Sequence, residues 1–179
     1  MAGHSHWKQI KYQKGATDQK RGALFSKLLR AISVAAREEP NPQFNARLRT
    51  AVEKAREANV PQENIEKAIK KADENAALEE IFMEAYSGDG IALLIKAVTD
   101  NKNRTVAETK NILKNHGAKW AEPGSVRWAF EQKILDETPD WQAKFLQEIS
   151  DENKNTLLKL ISDLENHDDI QRVYVNAKI

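Results

Sequence analysis

Seven cations, Lys8, Lys11, Lys14, Lys20, Arg21, Lys27 and Arg30, fall within the first thirty residues against one acid, Asp18, in a chain whose formal net charge is only +1. Trp7 and Tyr12 lie among them in MAGHSHWKQIKYQKGATDQKRG, a stretch with little apolar periodicity. Cations interleaved with flat rings suit phosphate neutralisation and base stacking, so this arm is expected to lie on nucleic acid. His4 and His6 have no Asp, Glu or Cys beside them to complete a metal site. They read as further arm contacts, as neutral donors or stacking rings, and neither a metal nor a cofactor is expected.

The charge is divided along the chain. Residues 1–75 hold 15 Lys/Arg and 9 Asp/Glu, and residues 76–179 hold 13 and 18. A polyanion responds to the field of one face and not to the summed charge, so only the first half is a candidate polyanion binder. The absence of cysteine excludes disulfides and thiolate chemistry. No apolar run approaches the roughly 20 residues of a membrane helix, and Met1 to Trp7 lacks a signal-peptide apolar region, so a functional N-terminus and a cytoplasmic location are expected. Ser26, Ser33 and Ser125 lack a nucleophile motif. The acidic runs Glu79-Glu80 and Asp168-Asp169 read as exposed turns or helix starts without a partner base, so no enzymatic activity is expected.

The elements that must carry these residues follow from periodicity. Leu24, Phe25, Leu28, Leu29, Ile32 and Ala36 mark one face of a helix ending near Glu39, with Lys27 and Arg30 outside that face. A second helix starts near Asn41-Pro42 or Asn45 and turns Leu48, Val52 and Ala55 inward. A third follows Val60-Pro61, with Ile65, Ala68, Ile69 and Ala72 inward and Lys67, Lys70 and Lys71 extending the basic surface.

After Asp73 the pattern changes. Ile91 to Val98 reads as a buried strand after the Gly88-Asp89-Gly90 turn, with Ile81 to Tyr86 as a possible preceding edge strand. Thr105 to His116 is a helix closed by Gly117. Ala118 to Trp120 and Val126 to Phe130 read as strands on either side of the Glu122-Pro123-Gly124-Ser125 turn. Trp141, Phe145 and Ile149 suggest a short helix, and a helix with Leu157, Leu160, Ile161 and Leu164 precedes a last strand, Ile170 to Val175. The expected fold class is α+β: a basic arm and three-helix domain (residues 1–75), then a β-α-β-β-α-β, ferredoxin-like sandwich domain (residues 76–179).

The stretches MAGHSHW, KRGALFSKLLRAI, NARLRTAVEKAREANVP, ENIEKAIKKA, TDNKNRT and EPGSVRWAF, in this order, resemble the YebC family, which includes the mitochondrial translational activators of cytochrome oxidase. LLKLISDLENHDDIQRVYVNAKI is similar to the family's closing helix and strand. The resemblance implies a helical first domain and two α+β domains, the third inserted between the strand ending near Lys133 and the helix starting near Asn155. Here only a short segment, residues 134–153, stands in that place, so two domains are expected. His6 stands where the family usually has Lys, Tyr12-Gln13 replaces a more basic pair, and Ser87-Gly88-Asp89-Gly90 stands where a Gly-Pro-Gly-Gly turn is common.

Asp100 to Thr105 lies between a strand end and a helix start, where free backbone N–H groups favour an anion. Ordinary capping by Asn103 or Asp100 is the commoner use of such residues, and the resemblance adds Asn101, Asn103 and Arg104 as a secondary surface. What the family implies is a nucleic-acid-binding regulator of gene expression: a ribosome- or rRNA-associated translation factor that relieves stalling, for example at proline runs. The alternative is a regulator of transcription on double-stranded DNA. Neither a membrane nor a small-molecule substrate is expected as partner, and the chain is expected to be a monomer.

Overall fold

The computed structural model describes residues 18–72, 74, 77–135 and 138–179. Three helices open it: α1 (Asp18–Ala36), α2 (Ala46–Glu57) and α3 (Gln62–Lys70). Their stripes meet in one cluster of Leu28, Ile32 and Ala35 with Leu48, Val52, Ala55, Val60 and Ile65. Asn45 holds the first turn. Its Oδ1 accepts from the Leu48 N–H at 2.9 Å and caps α2, while its amide donates to the Ala35 and Glu39 carbonyls at 2.8 and 2.7 Å. The next turn places Asn59 at a φ of 62°, a region Asn tolerates, and the Val60 N–H reaches back to the Ala55 carbonyl at 2.9 Å.

The second unit is a four-stranded antiparallel sheet of β1 (Glu79–Tyr86), β2 (Ala92–Thr99), β3 (Lys119–Ala121) and β6 (Ile170–Val175), in the order β3-β1-β2-β6. Helices α4 (Lys102–Asn115) and α5 (Asp151–Asn166) cover one face, where Ile81, Met83, Leu93 and Ile95 meet Leu113, Leu157, Leu160 and Leu164. A hairpin of β4 (Phe130–Leu135) and β5 (Thr138–Ala143) covers the other. There Phe82, Leu94 and Tyr174 meet Val126, Phe130 and Trp141. A sheet covered on both faces explains why β2 reads as an apolar run broken only by Lys96 before its closing Thr99.

The α+β class and the ferredoxin-like layering stand, with three local corrections. Ile81 to Tyr86 is not an edge strand. β1 pairs with both β2 and β3 and fills the central place that the third strand of a β-α-β-β-α-β order would take, while β6 holds the edge. Val126 to Phe130 is not a strand either, because Arg127–Ala129 winds into a 3-10 turn and β4 begins only at Phe130. Trp141 belongs to strand β5 instead of a short helix, since it pairs with Gln132 across the hairpin and packs edge-on against Phe82, with ring centroids 6.0 Å apart.

Candidate nucleic-acid interface

The arm residues His4, His6, Trp7, Lys8, Lys11, Tyr12 and Lys14 lie outside the described residues. The cations that follow them separate into two groups. Lys20 and Arg21, in the first turns of α1, are exposed, as are Lys67, Lys70 and Lys71 on α3. An open cleft of about 490 Å³ runs between these helices, floored by Leu29, Ser33 and Ala68 and edged by Arg30, Lys67 and Lys71. Lys67 shares its charge with Glu63 at 2.6 Å and Lys71 with Glu74 at 3.6 Å, both exposed pairs of small energetic worth that a phosphate can displace. Lys70 forms no ion pair among the described residues.

Lys27 and Arg30, expected on the same surface, turn inward. Lys27 is only 8% exposed and donates to the Glu165 carbonyl of α5. Desolvation outweighs the nearby Glu165, Asp168 and Asp169 charges and brings its ammonium pKa down to about 8. Arg30 donates to Asp169.

Asp169 is the centre of this junction, and its burial corrects the reading of Asp168-Asp169 as an exposed acidic run. It is 2% exposed and accepts from Arg30, from Arg104 Nη2 at 2.8 Å, from Thr105 Oγ1 at 2.7 Å and from Thr99 Oγ1 at 3.1 Å. Burial alone would push this carboxyl up. The hydrogen bonds from Thr105, Arg104 and Arg30, with the Arg30 charge, win and hold it at about 2.

The expected secondary surface is drawn into the same network. Asn101 is the cap of α4, a role expected for Asn103 or Asp100. Its Oδ1 accepts from the Arg104 N–H at 3.1 Å, occupying one of the free amides that would otherwise face an anion. Asn103 is exposed in the first turn, and the Arg104 guanidinium is divided between Asp100 and Asp169, each at 2.8 Å. A second buried carboxylate escaped sequence reasoning altogether. Glu84 on β1 accepts from the Gly124 and Val126 N–H groups at 2.7 Å each and from that of Arg127 at 3.3 Å, winding the turn that departs from the expected strand. The available signal was a Glu in the middle of an otherwise apolar strand, where a carboxylate must find donors.

Chemically the arrangement offers contact. No group of three or more His, Asp or Glu is gathered in metal-binding geometry among the described residues. The Tyr174 hydroxyl is buried and raised far above its ordinary pKa, then by the Asp140 carboxylate to which it donates at 2.5 Å.

Residues 5–75 match the TACO1/YebC protein N-terminal domain, and residues 78–140 match the TACO1/YebC second and third domain. A probable transcriptional regulatory protein of Pseudothermotoga lettingae is 48% identical over 83% of this chain and 60% of its own length. One of Aquifex aeolicus is 50% identical over 78% of this chain and 57% of its own. The chain thus matches less than two thirds of the length of these relatives. A further probable transcriptional regulatory protein, from Thermosipho melanesiensis, is 40% identical over the whole chain and 94% of its own length. The crystal structure of a conserved hypothetical protein, Aq1575 from Aquifex aeolicus, superposes with a TM-score of 0.85 at 33% identity, covering 98% of this chain and 97% of that one.

Proposed function

Because the chain belongs to the TACO1/YebC family, we propose that it is a non-enzymatic, nucleic-acid-binding regulator of gene expression, acting in the cytoplasm as a ribosome-associated translation factor that relieves stalling. The observation that carries the reading is the run of cations along the arm's sequence up to Lys20 and Arg21, exposed at the start of α1, together with exposed Lys70 and with Lys67 and Lys71 on the cleft between α1 and α3. A basic arm can enter folded RNA and order on docking, while the compact body sets where it enters. Asn101, Asn103 and Arg104 form a secondary surface in this reading, with Arg104 exchanging Asp100 for a phosphate. The protein acts as a monomer and requires no cofactor. No helix among the described residues is long and apolar enough to cross a membrane.

Two domains divide the work, residues 1–75 and 76–179. Their separate apolar clusters support the division. In this reading the segment 134–153 stands in place of a further domain, and a Thermosipho melanesiensis alignment of 238 positions against 179 residues here supports the chain's being shorter than that relative.

A second reading, a DNA-binding regulator of transcription, is favoured by the names of the relatives. One experiment separates the two: sedimentation with ribosomes across a salt series, beside titration against promoter and random duplex. Changing Lys8, Lys11, Lys14, Lys20 and Arg21 to Glu is expected to abolish ribosome association. If all five meet phosphates of a duplex, log affinity falls against log salt with a slope of roughly −4. Promoter binding well above random duplex, without ribosome association, overturns the translation reading, and a flat salt dependence overturns the arm's role.

A further inference from the structure

Trp128 is 57% exposed although Phe145, itself 42% exposed, stacks on it with ring centroids 5.6 Å apart and 28° between the planes. Single exposed apolar side chains need no explanation, but this pair is held by a dedicated scaffold. The buried Glu84 carboxylate winds the turn at residues 124–127 by accepting three of its N–H groups. The Ser125 carbonyl at that turn accepts from the Tyr86 hydroxyl at 2.6 Å and from Trp128 Nε1 at 2.8 Å, which fixes the indole edge. The Lys144 N–H donates to the Ala129 carbonyl at 2.9 Å and brings Lys144 and Phe145 alongside.

A cation precedes each ring along the chain, Arg127 before Trp128 and Lys144 before Phe145. The Arg127 guanidinium lies 5.4 and 5.5 Å from the ring centroids of Phe82 and Trp141, with Glu84 at 3.8 Å. Lys144 is exposed and forms no ion pair among the described residues. A rigid indole with its donor already satisfied has only its π surface left to offer. With a cation next to each ring along the chain, that surface suits a flat ring carrying phosphate.

We propose that Trp128 and Phe145 form a stacking platform for an unpaired base of the nucleic acid partner, with Lys144 and Arg127 taking the adjoining phosphates. This site lies on the α+β unit, apart from the arm and the cleft between α1 and α3. It rests on the nucleic-acid reading given above and adds to it a preference for unpaired over duplex segments, because a base inside a helix is already stacked.

The test is fluorescence-anisotropy titration of the full chain with a short single-stranded RNA and with the duplex of the same sequence. Trp128→Ala is expected to weaken single-strand binding about tenfold and to leave duplex binding unchanged. Trp128→Phe, which keeps a ring, restores most of the single-strand affinity, and Lys144→Glu weakens it. Unchanged thermal unfolding of Trp128→Ala shows that the effect is not loss of the fold, and a variant that does unfold leaves the decision to Trp128→Phe and Lys144→Glu. Wild-type binding to single-stranded RNA that neither Trp128→Ala nor Lys144→Glu alters overturns the platform and leaves the arm's role standing, as for a surface that meets protein. Absence of any wild-type binding to either nucleic acid overturns the underlying reading, and the platform with it.

Discussion

Replacing Asp169 by Asn keeps the shape of the side chain and removes its charge from the junction of Arg30, Arg104, Thr99 and Thr105. The carboxyl sits at about 2 against the ordinary 3.8, a difference that corresponds to about 2 kcal/mol of stability at neutral pH. The Arg30 and Arg104 side chains are partly open to solvent, which screens the pairs and trims the figure to about 1–2 kcal/mol. For a chain of this size that lowers Tm by about 4 °C. The folded-state pKa is depressed, so the stabilisation is complete above the unfolded value of 3.8 and is lost as pH falls towards 2. About half is gone at pH 3. Urea unfolding of wild type and Asp169→Asn at pH 7, 5 and 3 is therefore expected to show a gap that is constant from pH 7 to 5 and narrows by pH 3. Equal stability at pH 7, or a gap independent of pH, refutes the reasoning that a charge network on Asp169 holds the junction.

Glu84→Gln presents an N–H₂ group to backbone amides that now donate to a carboxylate, and is expected to cost about 2 kcal/mol in thermal melts. At Gly88 an added Cβ would lie 2.5 Å from Asn153 Oδ1. Gly88→Ala should therefore destabilise by about 1 kcal/mol, and combining it with Asn153→Ala should cost less than the sum of the two, as a double-mutant cycle in urea measures. Lys27→Met removes a buried ammonium. Since the folded-state pKa of about 8 lies below the usual 10.5, wild type gains relative stability as pH rises between those values. Any stabilisation by Lys27→Met at pH 7 should shrink by pH 10, and a gain that grows with pH would refute the assignment.

What the sequence discloses here depends on how far apart the interacting residues lie. Asn45, the Val60-Pro61 break and the apolar stripes of α1, α2 and α3 act within a few residues, and Gly117, at a φ of 67°, closes α4 where its type predicts. The roles of Glu84 and Asp169 are set by donors about forty to a hundred and forty positions away, from Gly124 back to Glu84 and from Arg30 on to Asp169. No local pattern records them. β5 is a strand only because β4 supplies a ladder and Phe82 a surface for Trp141. The central place of β1 follows from a long crossover, β2 through α4 to β3, that lets β3 pair with β1 on the far side from β2. Among candidate site residues, Lys67, Lys70 and Lys71 lie on the exposed face their helical spacing predicts, whereas Lys20 and Arg21, read as part of the arm, are exposed in the first turns of α1, which starts at Asp18 and not near Leu24. Lys27 and Arg30 share that outward position in sequence, but the second unit covers it.

That covering changes the meaning of the divided charge. The excess of cations in residues 1–75 and of acids in residues 76–179 first reads as two surfaces with separate electrostatic tasks. In the folded chain part of each excess meets the other: Arg30 pairs with Asp169, Arg47 with Glu80, and Lys27 lies in the field of Glu165 and Asp168. Arg37 adds donors to the Ala72 and Leu78 carbonyls at the same junction. Charge complementarity at a polar contact of this kind fixes how the two units meet more than it adds stability. The positive field left to a polyanion is accordingly smaller than the count implies, and a larger share of it belongs to Lys8, Lys11, Lys14, Lys20 and Arg21. Binding should therefore respond more steeply to reversal of these five charges than to reversal of five cations further along α1 and α2, Lys27, Arg30, Arg47, Arg49 and Lys54.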